Sequence, residues 1–191
     1  QEKDLLWDIW QYTTSAVTER YVRLSVSPRR GNELQISLVN SGLVSSCYIL
    51  LPRGRVKVLR LTEKGKEVLG INRGETDRHG GPEHKYWVKT IAEHLREKGY
   101  DVVEEHPIGN GRTIDVVATR GGRKLAFEIE TGKSDALWNL RKCQHAPVDA
   151  LFIVATSEQA KRQLGRQILT SHNVEVLSAC DVLEGKTRRH L

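Results

Sequence analysis

A diglycine between two strand-like runs constrains the fold of this chain more than any other feature. Gly121-Gly122 lies between TIDVVAT and KLAFEIE, which alternate in the manner of strands, and diglycine is a favoured two-residue hairpin connection. With these glycines as the loop, Asp115 falls opposite Glu128, and Glu130 lies on the same face. Ordinary cross-strand spacings predict that the three carboxylates gather within about 5–7 Å of one another, while the other face of the hairpin is apolar.

Three neighbouring carboxylates need a compensating partner, because like charges repel and raise each other's pKa. Hard carboxylate oxygens are ligands that Mg²⁺ accepts, and a bound divalent metal lowers the pKa of a water and neutralises phosphodiester charge. We therefore predict a Mg²⁺ (or Mn²⁺) site with Asp115, Glu128 and Glu130 as the metal ligands.

The chain divides near residues 70–82, where GINRGETDRHGGP is rich in glycine and poor in apolar residues. Beyond it, periodicity predicts helices and strands in the order α-β-β-β-α-β-α-β, a three-layer α/β domain with a mixed sheet. The almost wholly apolar VDALFIVAT is typical of a strand buried on both faces. The predicted domains are 1–72, a linker at 73–82, a catalytic domain at 83–183 and a basic tail at 184–191.

The hairpin acids and the element order resemble the PD-(D/E)xK nuclease superfamily, whose members include restriction enzymes, Holliday-junction resolvases and Mrr-like endonucleases. Its signature is an Asp on one strand and acid-x-Lys on the next. TID ending at Asp115 and EIE at 128–130 correspond to it, and the resemblance covers roughly residues 82–178. It implies a restriction-endonuclease-like domain acting as a Mg²⁺-dependent deoxyribonuclease, a phosphodiesterase that cuts DNA.

The resemblance departs from the superfamily at Glu130, which stands where Lys is usual. Lys133 is an alternative source of the missing ammonium. By resemblance, Asp115 and Glu128 hold the metal, Glu130 is a ligand or base, and Lys133 supports the attacking water. The leading-helix acid is Glu83, with Glu93 and Glu97 as alternatives. Further expected DNA contacts in this half are His84, Asn139 and Lys142.

The first half has three predicted helices followed by two strand-like runs joined by the turn PRG. Ser27 and Pro28 are a suitable N-cap and first residue of the third helix, whose expected buried positions are Leu34, Ile36, Leu38 and Val39. This order resembles a winged helix-turn-helix, which implies DNA contacts from the third helix and from the wing. The expected contact residues are Arg29, Arg30, Arg53, Arg55 and Lys57.

Charge and composition point to the partners. The net charge of +6 and isoelectric point of 9.3 favour an anionic partner, and the resemblance specifies duplex or branched DNA. No apolar run suggests a membrane span, and the GKS at 132–134 lacks the glycine-rich loop that NTP binding requires. The three cysteines are spaced as reduced thiols of a cytoplasmic protein, and the expected DNA partner implies that it is nucleoid-associated.

Three interpretations of function follow. The first is a metal-dependent DNA endonuclease positioned by the winged helix, and cutting of both strands would favour a homodimer. The second is a non-catalytic DNA-binding or regulatory protein. The third is a targeting module, the C-terminal part of a larger DNA-processing ATPase such as one of a mobile element. The absence of a starting Met is consistent with this third hypothesis.

Overall fold

The computed structural model describes residues 1–51, 54–71, 80–132, 136–143, 146–168 and 174–186. The chain separates into two units, Gln1–Tyr86 and Trp87–Leu191. The division falls inside a helix rather than in the glycine-rich stretch that the sequence marks as a linker. Residues 72–79 of that stretch lie outside the described residues. None of the helices in the described ranges has the length and apolar content needed to cross a membrane.

The first unit contains helices and a two-stranded antiparallel sheet. Its elements are α1 (Glu2–Gln11), α2 (Val17–Arg23), α3 (Pro28–Asn40), β1 (Val44–Leu51), β2 (Gly54–Leu61) and α4 (Glu63–Val68). The predicted start of α3 is confirmed by its cap, and α4 starts with a cap of the same kind. The Ser27 hydroxyl accepts from the Arg30 amide, and the Thr62 hydroxyl accepts from the Gly65 amide. Each cap satisfies an amide that has no partner within the helix.

The core of the first unit joins two helices, α1 and α3, to the sheet. Its buried cluster consists of Leu5, Leu6, Ile9, Leu34, Leu38, Val44, Leu59 and Leu61. The prediction that Ile36 and Val39 are also buried is wrong, because Ile36 is 57% exposed and Val39 37% exposed. At 3.6 residues per turn, Leu34 and Leu38 share one face of α3, and Ile36 points to the opposite side.

A buried ion network connects α1 to α2. The guanidinium of fully buried Arg20 donates to the Asp8 carboxylate at 2.6 Å, to the Asp8 carbonyl at 2.9 Å, and to the Tyr12 carbonyl. Arg23 donates to the second Asp8 oxygen at 2.6 Å. Burial lowers the pKa of Arg20, while the hydrogen bond to Asp8 raises the pKa of Arg23. One carboxylate thus serves two arginines, an arrangement that periodicity did not indicate.

The second unit is an α/β domain built around a five-stranded mixed sheet. Its elements, with the helix that leads into it, are α5 (Pro82–Glu97), β3 (Asp101–Gly109), β4 (Arg112–Arg120), β5 (Arg123–Glu130), α6 (Ala136–Cys143), β6 (Ala150–Ala155), α7 (Glu158–Ile168), β7 (Val174–Ser178) and α8 (Ala179–Leu183). The sheet order is β3-β4-β5-β6-β7, with antiparallel pairing through β5 and parallel pairing thereafter. This confirms the predicted order and is compatible with three layers; α8 was not predicted.

The diglycine hairpin has the predicted register from its loop as far as Val116 and Phe127, where the described pairing ends. Val116 pairs with Phe127 and Ala118 with Leu125, and both Gly121 and Gly122 have positive φ, as a type I′ turn requires. Every residue of β6 is buried, which confirms the prediction of burial on both faces. Side chains from β4, β5 and β6 pack in one cluster with α6 and α7. Arg96 of α5 contacts Glu104 of β3 at 2.9 Å.

Candidate active site

The two glutamates of β5 are almost fully buried. Glu128 and Glu130 are each 1% exposed, and β5 lies between β4 and β6 in the sheet. Their β6 neighbours are Ile153 and Ala155, which offer no polar side chain. Burial of an ionised carboxylate is costly unless it is paired and hydrogen-bonded. The partners of these two acids therefore define what the site can do.

Glu128 receives its partners from the end of α6. The ammonium of Lys142 lies 2.9 Å from Oε2 of Glu128, and the Cys143 thiol donates to Oε1 at 3.3 Å. The Lys142 side chain is itself largely buried, so this ion pair is shielded from solvent. A shielded pair of this kind is disrupted at a high cost when one member is removed.

Glu130 is hydrogen-bonded by a side chain of α6 and by the backbone amide of Thr156. The Asn139 amide nitrogen donates to Oε1 of Glu130 at 2.7 Å, and the Glu130 carbonyl accepts from the Thr156 amide at 3.0 Å. Asn139 and Lys142 are three residues apart and therefore share a face of α6, as predicted. The structure directs that face to the two glutamates, so both side chains have a role besides the predicted DNA contact.

Asp115 adjoins Glu128 from β4. The described pairing of β4 with β5 ends at Val116 and Phe127, so Asp115 and Glu128 lie just beyond it, and the charge of Asp115 acts on Glu128. Oδ2 of Asp115 accepts from the Ile129 amide at 2.8 Å. A side-chain carboxylate thus accepts the hydrogen bond of a backbone amide in the next strand, and this contact holds the half-buried Asp115 next to β5.

Burial is the largest influence on the pKa of Glu128. The pKa of Glu128 is raised to about 7, first by burial and second by the negative charge of Asp115, while Lys142 acts in the opposite direction. The pKa of the Cys143 thiol is also raised, by burial and by the neighbouring Glu128. Glu128 therefore exchanges its proton near neutral pH, where a cation competes for the same oxygens.

The fit of this site to a divalent metal rests on its oxygens. Within the described ranges, no group of three or more His, Cys, Asp and Glu side chains is placed to hold a metal ion. The three predicted ligands instead contact separate partners: the Ile129 amide, Lys142 with Cys143, and Asn139. Mg²⁺ requires only one or two carboxylates together with waters and substrate oxygens. The chemistry of Asp115 and Glu128 fits that requirement, and the metal itself stays a prediction.

The other predicted members of this site are in α5 or outside the described residues. Glu83 and His84 are in the first turn of α5, before the second unit begins. His84 packs closely on Gly80, where an added Cβ would come within 2.6 Å of the imidazole ring. Among the alternatives to Glu83, Glu93 pairs with Lys89 at 3.7 Å and Glu97 is exposed. Lys133 is outside the described residues.

The third helix, α3, which is predicted to contact DNA, carries a carboxylate beside its arginines. At the start of α3, Glu33 contacts Arg29 at 3.3 Å and Arg30 at 3.2 Å. These pairs are at the surface, and an exposed ion pair typically contributes no more than about 1 kcal/mol. Glu33 therefore weakens the positive potential of this helix end without fixing the arginine side chains.

A basic and aromatic surface occupies the turn end of one face of the β1–β2 hairpin. Tyr48 is 51% exposed, and the guanidinium of Arg55 lies 4.3 Å from its ring centroid, with the Lys57 ammonium at 5.8 Å. Ile49 and Val58, on the other face, are buried. Sequence reasoning identified Arg55 and Lys57 but missed Tyr48; its signal was an aromatic residue alternating with buried positions. Arg53, also predicted here, is outside the described residues.

Comparisons with known proteins supply no family. No protein-family model matches the sequence, and no curated protein matches it. One similar solved structure is a protein of unknown function, AF1548, with a TM-score of 0.37 and 19% identity over 52% of this chain and 66% of that one. Another is protein VC1899 from Vibrio cholerae, with a TM-score of 0.37 and 10% identity over 96% of this chain.

This chain spans 66% of the length of AF1548 and 53% of the length of VC1899. At a TM-score of 0.37, neither likeness bears on function.

The raised pKa of Glu128 predicts a pH-dependent stability in the absence of metal. Between its unfolded value of 4.5 and its folded value of about 7, the folded state binds more protons than the unfolded state. The free energy of unfolding therefore decreases as pH rises through this window. Across this window, we expect the free energy of unfolding of the wild type to fall by about 3 kcal/mol relative to that of Glu128→Gln, at 1.36 kcal/mol per pKa unit.

This prediction is measured by urea denaturation of both proteins in EDTA at several pH values from 4 to 8. The Gln variant is the matched control, because its other titrating groups are the same. A constant difference in unfolding free energy across the window would contradict the prediction.

Proposed function

We propose that this chain is a divalent-metal-dependent endonuclease that hydrolyses DNA phosphodiester bonds. The observation that carries the proposal is the buried Glu128, with the Asp115 carboxylate acting on it from β4 and a lysine ammonium 2.9 Å away. A surface ribbon gains nothing from burying a carboxylate beside another carboxylate. A site that holds oxygen ligands and one ammonium close together can bind a phosphodiester and stabilise the charge that develops during its hydrolysis.

The roles of the residues follow from their contacts. Asp115 and Glu128 would hold the metal, and Glu130, oriented by Asn139, would serve as a further ligand or as the base. Lys142 brings to the site the ammonium that we expected from Lys133, and would support transition-state charge. When bound, a divalent cation supplies activation of water and neutralises phosphate charge. Glu83 remains the proposed leading-helix acid.

Docking on DNA is assigned to the first unit, which we propose to be a winged helix-turn-helix. In support, its order is three helices, an antiparallel hairpin and a helix, and α3 begins with two arginines. The basic and aromatic face of the hairpin, with Tyr48, Arg55 and Lys57, would contact phosphates as a wing. A cytoplasmic, nucleoid-associated location and a homodimer on duplex or branched DNA complete the proposal.

A substitution at Glu33 tests the proposed contact of α3 with DNA. Glu33→Gln should raise the affinity for DNA about two- to fivefold at low salt, because it releases two arginines from pairs each worth up to about 1 kcal/mol. Fluorescence anisotropy in EDTA measures the change. Glu67→Gln on α4 is the control with the same change of charge. An equal gain in both variants would assign the effect to net charge and remove α3 from the interface.

A second candidate function has one observation in its favour. The Lys142 ammonium already compensates Glu128, and no complete ligand group for a metal lies in the described part of the chain. A DNA-binding or regulatory domain, or a targeting module of a larger DNA-processing ATPase, would need no more than this. Such a protein would bind DNA in a salt-sensitive way and would not cut it.

A cleavage panel tests the proposal. Linear, supercoiled, single-stranded and branched DNA are incubated with the protein and Mg²⁺, Mn²⁺ or EDTA, and the products are separated on gels. The endonuclease hypothesis expects cutting of at least one substrate with metal and none in EDTA. Intact DNA under every condition, together with salt-sensitive binding, would establish the second candidate in its place.

A further inference from the structure

We propose that Arg112 and Trp138 form a stacking platform for an unpaired nucleobase. The platform lies beside Asp115, Glu128 and Glu130, which are together called the acid site. The proposal deepens the proposed function and rests on it, since it specifies the substrate class as DNA with a single-stranded or flipped-out nucleotide. Trp138 of α6 is 51% exposed. The guanidinium of Arg112, also exposed, lies 5.4 Å from the centroid of the indole ring.

The platform adjoins the acid site along both of the elements that carry it. On α6, Trp138 is followed directly by Asn139, which contacts Glu130, and one turn later by Lys142, which contacts Glu128. On β4, Arg112 precedes Asp115 by three residues. A nucleotide stacked on Trp138 would therefore have its phosphate within reach of the residues that would cut it.

The chemistry of the pair suits a nucleobase. A single exposed apolar side chain needs no explanation, but this indole carries a guanidinium over its ring, and an arginine contributes both cation–π attraction and a phosphate contact. Arg141, between the two site residues of α6, is exposed as well. The surface is thus aromatic at its centre and positive around it, which complements a base and its phosphates.

The stacking requirement excludes an ordinary paired base. In a duplex both faces of a base are covered by its neighbours, so an indole reaches a base face only where the nucleotide is unpaired or extruded. Stacking of a base on an aromatic side chain is worth about 1–3 kcal/mol. The platform should therefore favour single strands, flaps and bulges over a continuous duplex.

Binding in EDTA tests the platform without requiring catalysis. We compare the affinity of the full chain for a single-stranded oligonucleotide, a duplex with a flap and a fully paired duplex, by fluorescence anisotropy. Trp138→Ala should weaken binding of the first two by roughly 5- to 140-fold, the equivalent of one stacked base. Binding of the paired duplex should change less than about twofold on the same argument.

The controls separate stacking from charge and from folding. Trp138→Phe should keep most of the affinity, Arg112→Lys should lose part of it, and Trp7→Ala, an exposed tryptophan of the first unit, should lose none. Circular dichroism confirms that each variant is folded. Unchanged single-strand affinity in Trp138→Ala, or an equal loss for paired duplex, would overturn the proposal.

The two proposals fail in different ways. Selective binding of unpaired DNA through Trp138, without cutting by Mg²⁺ or Mn²⁺, would retain the platform and overturn the nuclease. Metal-dependent cutting with no contribution from Trp138 to binding would do the reverse.

Discussion

Asp115→Asn is expected to lower metal-dependent DNA cleavage by at least about a hundredfold, the usual scale for loss of one charge-stabilising group at a reacting centre. The Asn side chain removes the negative charge that a divalent cation requires. It retains an oxygen that can accept from the Ile129 amide, the contact that Asp115 makes at 2.8 Å. The substitution should therefore leave the fold of the second unit intact while abolishing the proposed metal site.

The same variant should bind DNA in EDTA as tightly as wild type or more tightly, because it removes a negative charge near the phosphates. Isothermal titration with Mn²⁺ should show loss of metal binding. Asp101→Asn is a matched control, since Asp101 is an exposed acid at the start of β3 in the same unit. If Asp115→Asn cuts DNA at the rate of Asp101→Asn, Asp115 is not a metal ligand of a nuclease.

Asp8→Ala is expected to destabilise the first unit by about 3–5 kcal/mol, the cost of leaving a buried charge without its partner. Asp8 compensates Arg20, which is fully buried, and it also accepts from Arg23. Its removal leaves the buried guanidinium of Arg20, between α1 and α2, without its carboxylate partner. Because domains are stable by only about 5–15 kcal/mol, the loss removes a substantial part of the stability of this unit.

Hydrogen exchange measured by mass spectrometry resolves the effect by unit. Peptides of residues 1–71 should exchange faster in Asp8→Ala, while β4–β6 of the second unit keep their protection. Asp4→Ala is the control, because Asp4 is an exposed acid on the same helix and surface substitutions usually change stability by less than about 0.5 kcal/mol. Equal protection of residues 1–71 in the two variants would show that the buried network adds little to stability.

Some elements were predictable because their signals are local. The S-P start of α3 and the T-E start of α4 place a capping hydroxyl next to the amides that it satisfies. The hairpin needed only two adjacent glycines and an alternating pattern on each side. The short α8 had a similar signal that we missed: Ser178 and Asp181 form a reciprocal capping box. Five residues are too few for periodicity to reveal such a helix.

The burial of α3 illustrates where a pattern is insufficient. Four apolar residues were expected to be buried, and only Leu34 and Leu38 are. The apolar content alone did not distinguish Ile36 and Val39 from them. Which stripe of a helix faces the core depends on how the helix is rotated against α1 and β2, and that rotation is set by packing.

The sequence by itself determined the register of the hairpin between Val116–Phe127 and Arg120–Arg123, because two glycines at positive φ and a period of two leave one pairing that buries the apolar residues. Only the tertiary structure decided the partners of the two buried glutamates of β5. Lys142, Asn139 and Cys143 reach β5 because α6 lies on that face of the sheet. The position of a helix on a sheet comes from the packing of many side chains distant in sequence, so no local pattern specifies it.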